Sequence, residues 1–448
     1  MSPTAAVNFK QIAAIACGLA LGCVFVLYSM CTMRVDKYSH YYLQTKKNVS
    51  RGSTEIKMED GLKHESQVVN KSTRKGGENK VKKILFWNKW YHRTYYDFGA
   101  GEEPFKRYNC PEKRCSTTSN RDEFEEADAV VTCGRLMEWE AELVLPPRRD
   151  PEQVYVYFNR EAPVTQLGNN HRLNNVFNVT MTYRRDSTIP FPYSVIEPRK
   201  DKLGYIAVTK EDIERKSKDH PVSWMVSRCH KKGCVRHEYV EHLSRFIPVD
   251  IYGRCGNLTC SRDSSDTCMI MQERRYKFYL AFENAVCRDY VTEKAFRTLN
   301  YSIVPVVMGG ANYSEILPPH SFIDVRDFES PAQMASYLHY LNNNDTAYLE
   351  YFAWKRDYEV RKVEPYEVFC RLCQLLHEES QLLIDFDLEE WWDTMAGETC
   401  LLDDYRTKLM SYFNIDPSIE PVPKTNGKLL HLRSRYSKDE TESLEISR

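Results

Sequence analysis

Two series of short apolar runs, the second interleaved with helix-like segments, constrain this chain more than any other feature. The first series is VKKILFWNKW (81–90), DAVVTC (128–133) and QVYVYFNRE (153–161). A polar, lysine-rich stretch at 197–220 separates it from the second: VSWMVSRC (222–229), IPVDIYGRC (247–255), RYKFYLAFEN (275–284), YSIVPVVMGG (301–310) and SFIDV (321–325). Between these lie GCVRHEYVEHLSRF (233–246), TEKAFRTLN (292–300) and SPAQMASYLHYLNNN (330–344). In the last, Met334, Leu338 and Leu341 recur at helical spacing after Ser330-Pro331, a good helix start. Short strands alternating with helices predict parallel, doubly wound sheets of an α/β protein. Two series predict two Rossmann-like halves facing each other, at 81–200 and 201–360, with a C-terminal segment at 361–448.

The flanks carry different information. Residues 11–33, QIAAIACGLALGCVFVLYSMCTM, contain no charge and are bounded by Lys10 and Arg34. At a rise of about 1.5 Å per residue such a run spans a hydrocarbon core of roughly 30 Å. A cleaved signal peptide has a shorter apolar region ending in small residues, so the run reads as an uncleaved transmembrane anchor behind a cytosolic tail, 1–10. Residues 34–80 are polar and poor in apolar side chains, which predicts a flexible stem. Flanking Lys and Arg alone would place the larger charge after the anchor on the cytosolic side. The body argues the other way. It carries Asn-x-Ser/Thr sequons at Asn48, Asn70, Asn178, Asn257, Asn300, Asn312 and Asn344, of which Asn300 and Asn178 adjoin apparent secondary structure. It also carries twelve cysteines, Cys110, Cys115, Cys133, Cys229, Cys234, Cys255, Cys260, Cys268, Cys287, Cys370, Cys373 and Cys400. An even number of cysteines among sequons favours disulfides in an oxidising lumen, hence a type II membrane protein. The formal net charge of −1 argues against a general nucleic-acid binder, so any anion site is local.

Ligands of open α/β sheets sit beyond the carboxyl ends of strands. Here those ends offer Glu161, Arg228, Gly253-Arg254, Glu283-Asn284 and Gly309-Gly310. The stretch FENAVCRDYVTEKAF (282–296) leaves a strand and opens a helix near Thr292, whose hydroxyl can cap free N–H groups. Lys294 in the first turn opposes the helix dipole, which favours cations at the other end. An anion on the same spot, such as a diphosphate, would account for it, with Glu293 on sugar hydroxyls; a solvated Glu-Lys pair is the plain alternative. Glu161 is either a general base at the sheet edge or a solvated strand-end carboxylate. Arg184, Arg185 and Asp186 form a surface turn or a ligand clamp, and Arg236 reaches a phosphate or is an ordinary exposed arginine. Cys370-x-x-Cys373 lacks a second pair for zinc and reads as disulfide-forming. Asp385-Phe386-Asp387 has the form of a metal-nucleotide chelate but lies in an acidic tail beyond the strands, as a charged surface helix would.

The blocks FNVTMTYRRDSTIPFPY, YKFYLAFENAVCRDYVTEKAF, SIVPVVMGG and ESPAQMASYLHYLNNNDTAYLEYFAWK followed by CRLC resemble the signature blocks of the α1,3-fucosyltransferases over about residues 81–400. The resemblance implies a GT-B architecture and a Golgi type II enzyme. It also implies inverting, metal-independent transfer of L-fucose from GDP-fucose to an acceptor hydroxyl. It places the general base at Glu161, in Glu161-Ala162-Pro163 where the family usually reads Glu-Ser-Pro. It places Arg236 and Lys294 on the donor diphosphate, Glu293 at the ribose, and Asn284, Tyr290 and Tyr252 on the donor side. The cysteines of DIYGRCGNLTC, Cys268 and Cys287 resemble those of arthropod enzymes that fucosylate the Asn-linked GlcNAc of N-glycans. Ser227-Arg228-Cys229 departs from the Ser-Asn-Cys usual there, so an antenna GlcNAc is the second reading. A weakly active, lectin-like lumenal protein is the third.

Overall fold

A computed structural model describes residues 80–134, 145–146, 152–163, 173–202, 204–229, 235–260, 265–378, 388–392, 400–401, 406–418, 424–425 and 428–429. They belong to one compact unit, Gly76–Arg448. The apolar run 11–33, the stem to residue 79, Asn48, Asn70, Cys234 and Asp385–Asp387 lie outside the described residues. Among the described residues no helix is long and apolar enough to cross a membrane.

The first series folds as β1 (Lys82–Phe86), β2 (Cys115–Thr118), β3 (Ala129–Cys133), β4 (Val154–Asn159) and β5 (Val179–Thr182), all parallel in the order β2-β1-β3-β4-β5. A parallel sheet covered on both faces needs nearly continuous apolar strands, and β3, β4 and β5 are buried throughout. On one face Ile84, Phe86, Val131, Val156 and Phe158 form a core with Val368, Phe369, Leu372 and Leu376. On the other, Leu85, Val130, Tyr155 and Tyr157 pack with Phe177, Leu388 and Trp392. Each large side chain buried this way is worth about 1.5–3 kcal/mol.

After β6 (Ser194–Pro198), the second series gives β7 (Val222–Met225), β8 (Val249–Tyr252), β9 (Phe278–Phe282), the short β10 (Val286–Cys287), β11 (Val304–Met308) and β12 (Ile323–Asp324). The second parallel sheet runs β12-β11-β9-β7-β8. Trp224, Leu280, Phe282 and Val306 pack under Tyr239 and Leu243 of helix Arg236–Leu243 and under Met334 and Leu338 of helix Pro331–Asn343. The Ser330 side chain accepts from Gln333 N and caps the latter. Ala295, Phe296 and Leu299 of helix Glu293–Leu299 cover the other face with Tyr279, Ala281 and Val307.

The segment beyond 361 is shared between the sheets. β13 (Tyr358–Lys362) pairs antiparallel with β6. Helix Pro365–His377 then returns to the first sheet, whereas Leu409, Met410 and Phe413 join the core of the second. Disulfides fix these returns. Cys370 pairs with Cys110 and Cys373 with Cys115. Cys287 of β10 pairs with Cys400 of β14 (Cys400–Leu401), the residue opposite it in register. Cys229–Cys255 and Cys260–Cys268 lie at the second sheet. Cys133 belongs to none of the five bridges and is buried within β3. Cys115, Cys373 and His377 cluster closely enough to suggest a metal, but the two sulfurs are bonded to each other and offer no thiolate.

The sequons differ in access. Asn257, Asn300 and Asn312 are exposed, and Asn344 caps helix Asp345–Glu350 through Ala347 N. Asn178 is buried, its Oδ1 accepting from Tyr155 N at 3.0 Å.

Candidate active site

The carboxyl ends of both sheets meet at Glu161 and Tyr290. β4 stops at Asn159, whose Oδ1 accepts from Glu161 N at 2.9 Å and turns the chain out of the strand. Glu161 is thereby held partly exposed, with Tyr91 Oη donating to Oε1 at 2.7 Å. Tyr290, from the second half, places its hydroxyl 3.4 Å from Glu161 Oε2 and 3.3 Å from Asn284 Oδ1. A phenol has one proton, so at any moment it serves one of the two. Burial pushes the Tyr290 pKa well above the usual 10, so the group remains a donor. Ala162 is buried in the first core, which no serine hydroxyl is needed to fill.

Behind this contact sits a buried ion pair. Glu283, 2% exposed at the end of β9, accepts from Lys294 Nζ at 2.9 Å and from Thr292 N at 2.8 Å. The Thr292 hydroxyl lies 2.9 Å from both Glu283 oxygens and accepts from Lys294 Nζ at 2.7 Å. Burial raises the Glu283 pKa, opposed by the Lys294 charge. Burial also disfavours the Lys294 ammonium, but Glu283 and Glu293 outweigh it and the lysine pKa is raised. Two expectations change here. Thr292 stands at the N-cap without capping, because its hydroxyl is engaged by Glu283. The cation in the first turn already has a counter-charge, so the helix dipole alone does not call for a ligand anion. Glu293 keeps a largely exposed side chain, 3.7 Å from Lys294. Against partial desolvation by its surroundings, the Lys294 charge and hydrogen bonding at the helix start hold its pKa below the usual 4.5.

Arg236 is not the exposed arginine that its helix position allows. It is 4% exposed, donating from Nη1 to Phe282 O and from Nη2 to Arg228 O, each at 3.2 Å. Its Nε is buried with no partner, and among the described residues no carboxylate pairs with it. A buried guanidinium without an acid is costly, and here two carbonyl oxygens and the Trp224 ring offset part of that cost. Its charge acts on Lys294, so the two cations share one region. Tyr252, Glu293 and Lys294 line a cavity of about 280 Å³ with Ser227, Gly253 and Arg297. The Tyr252 hydroxyl lies 2.8 Å from that of Tyr276, which donates to Asp250 at 2.6 Å, so Tyr252 presents a fixed ring to the cavity.

The geometry thus gathers Glu161, Tyr290 and Asn284 in one cluster, and Arg236, Tyr252, Glu293 and Lys294 in another. Tyr91, Glu283 and Thr292 join them in roles that the spacing of residues did not assign. Arg184 resolves as structural: it is buried, pairs with Asp186 at 2.6 Å, donates to Trp391 O and stacks on the Trp391 ring. Arg185 pairs with Glu315.

Two family models match this chain: "Fucosyltransferase, N-terminal" over residues 79–194 and "Glycosyltransferase family 10 (fucosyltransferase) C-term" over 215–391. Glycoprotein 3-alpha-L-fucosyltransferase A of Drosophila melanogaster is 36% identical over 70% of this chain, which spans 60% of that relative. Alpha-(1,3)-fucosyltransferase C of the same fly is 34% identical over 69% of this chain and 77% of its own length. Alpha-(1,3)-fucosyltransferase fut-1 of Caenorhabditis elegans is 32% identical over 69% and 71%. A solved α1,3-fucosyltransferase with GDP-fucose superposes with a TM-score of 0.41 at 16% identity, covering 68% of this chain and 91% of that one. Two matched models tiling both sheets, and relatives a third identical over most of their length, place the chain in glycosyltransferase family 10, among the α1,3-fucosyltransferases.

Proposed function

We propose that this enzyme transfers L-fucose from GDP-fucose, with inversion, to the 3-hydroxyl of a GlcNAc in glycoprotein N-glycans, the Asn-linked core GlcNAc first among them. The observation that carries the reading is the contact of Glu161, at the end of β4, with Tyr290 of the second half. It sets a carboxylate from one sheet against the loop that opens the cation-lined cavity of the other. In this reading Glu161 takes the proton of the acceptor hydroxyl while that oxygen attacks the anomeric carbon opposite GDP. The C–O bond to GDP breaks with its electron pair, and one displacement inverts the configuration. Arg236 and Lys294 stabilise the charge growing on the leaving diphosphate without a divalent metal. Glu293 accepts from the ribose, and Tyr252 and Asn284 complete the donor side. The two sheets are the halves of a GT-B fold, and residues 11–33 anchor the body in the Golgi membrane with the catalytic part lumenal.

The test is transfer from GDP-fucose to a panel of defined N-glycans with EDTA present, for the wild type and Glu161→Gln. A general base contributes about 10²–10⁴-fold, so the variant loses that much turnover and still binds GDP. Wild-type turnover by Glu161→Gln refutes the base; product only on antennae moves the acceptor to a Lewis or LacdiNAc GlcNAc.

A further inference from the structure

We propose that Glu283 and Thr292 form a clamp that leaves a single N–H of Lys294 for the donor cavity, making both positioning residues for the diphosphate. The inference rests on reading Lys294 as the phosphate ligand. An ammonium has three donors and no acceptor. One goes to Glu283 Oε2 at 2.9 Å and one to Thr292 Oγ1 at 2.7 Å. Glu293 Oε1, at 3.7 Å, is within ion-pair range but beyond a hydrogen bond. The third N–H is left over.

The polarity of the clamp follows from proton counting. Thr292 Oγ1 accepts from Lys294, so its own proton goes to Glu283, which lies 2.9 Å away at either oxygen. Thr292 N, donating to Oε1 at 2.8 Å, locks the carboxylate from the backbone. The Glu283 side chain is buried, 2% exposed, so its stem is enclosed as well. Lys294 keeps 22% of its side chain exposed and lines the cavity of about 280 Å³. A lysine held at two of three donors presents the third in a fixed direction. It therefore meets the ligand without the ordering that a free lysine would undergo. The carboxylate also tempers the cation, so the clamp serves direction at the expense of raw attraction.

Calorimetric titration with GDP tests this, alongside the KM for GDP-fucose. Thr292→Val removes the relay oxygen, and Glu283→Gln sets an amide donor against a group that needs an acceptor. Losing a hydrogen bond to a charged group is worth about tenfold or more. Both variants are expected to weaken GDP and raise the donor KM by about that factor, while the acceptor KM stays put. Thr292→Ser, which restores the hydroxyl, recovers most of the loss. In a Lys294→Met background Thr292→Val adds nothing, because the clamp acts only through the lysine. A Thr292→Val enzyme that binds GDP like the wild type, or that loses as much again without Lys294, overturns the clamp. GDP binding undiminished in Lys294→Met instead refutes Lys294 as phosphate ligand, a separate failure.

Discussion

The Tyr290 hydroxyl stands 3.4 Å from Glu161 Oε2 and 3.3 Å from Asn284 Oδ1, so one proton is shared between a carboxylate of the first half and an amide of the second. Tyr290→Phe deletes that proton and keeps the buried ring. A hydrogen bond to a charged group is worth about 1.5–3 kcal/mol, which is roughly tenfold or more in rate if the bond persists in the transition state. The expected result in steady-state kinetics is a kcat about tenfold lower with a smaller change in donor KM. A rise in KM alone would place the hydroxyl in ground-state binding.

Glu283 gives donor binding a pH dependence of definite sign. Its carboxyl is raised above the usual 4.5 by burial, against the opposing charge of Lys294. As pH falls it is therefore protonated before an ordinary glutamate, and Lys294 loses its counter-charge and one acceptor. GDP affinity weakens on acidification, beginning above the ordinary carboxylate range. Glu283→Gln lacks this step, and subtracting its titration from the wild type removes the ionisation of GDP itself. For stability the sign is reversed. A folded pKa above the unfolded one means that the contribution of Glu283 is fully present below about 4.5 and lost as pH rises through the folded value.

The paired bridges Cys110–Cys370 and Cys115–Cys373 span 260 and 258 residues and close nearly the same loop. In the chain-entropy view a loop of that size is worth roughly 5 kcal/mol, whereas the second bridge closes only a small residual loop worth about 2–3. Replacing either pair by serine is thus expected to cost about 2–3 kcal/mol in denaturant unfolding. Replacing both costs more than the sum of the two single losses. Strict additivity would show that the bridges act independently.

Sequon use is legible from burial. Asn178 is 7% exposed and its Oδ1 holds Tyr155 N in register. A glycan there is incompatible with β4 and β5 pairing. Glycopeptide mapping of chain secreted from eukaryotic cells is expected to find Asn257 or Asn312 modified and Asn178 bare in the folded fraction. Occupied Asn178 in active enzyme would contradict the pairing.

Most of both sheets could be read from apolar runs, since a strand buried on two faces has little choice of composition. VYVYFN and FYLAF fall within the predicted runs with a residue or more trimmed at each end. β2, CSTT, carries no apolar run, since three of its four residues are small hydroxyl side chains; its place comes from pairing with β1. Helix Pro365–His377 is plainly amphipathic, yet its partner lies some 260 residues away in the disulfides it makes, which no local spacing encodes. The same limit applied at the site. Spacing leaves Lys294 either as a cation facing an anion or as half of a solvated pair with Glu293, because its actual counter-charge sits eleven residues back, at the end of a different element. A carboxylate closing the strand before a first-turn lysine was the available signal.

The return of helix Pro365–His377 to the first sheet means that the gene order and the structural halves do not coincide. An exchange of acceptor specificity between relatives by a single splice near residue 200 would pair one parent's sheet with the other parent's covering helix, and would strand Cys110 and Cys115 from the partners they evolved with. A workable chimera carries the N-terminal sheet together with the later pieces that cover its two faces, the segment about 361–378 and Leu388–Trp392, and treats the chain between the sheet and residue 361 as one unit.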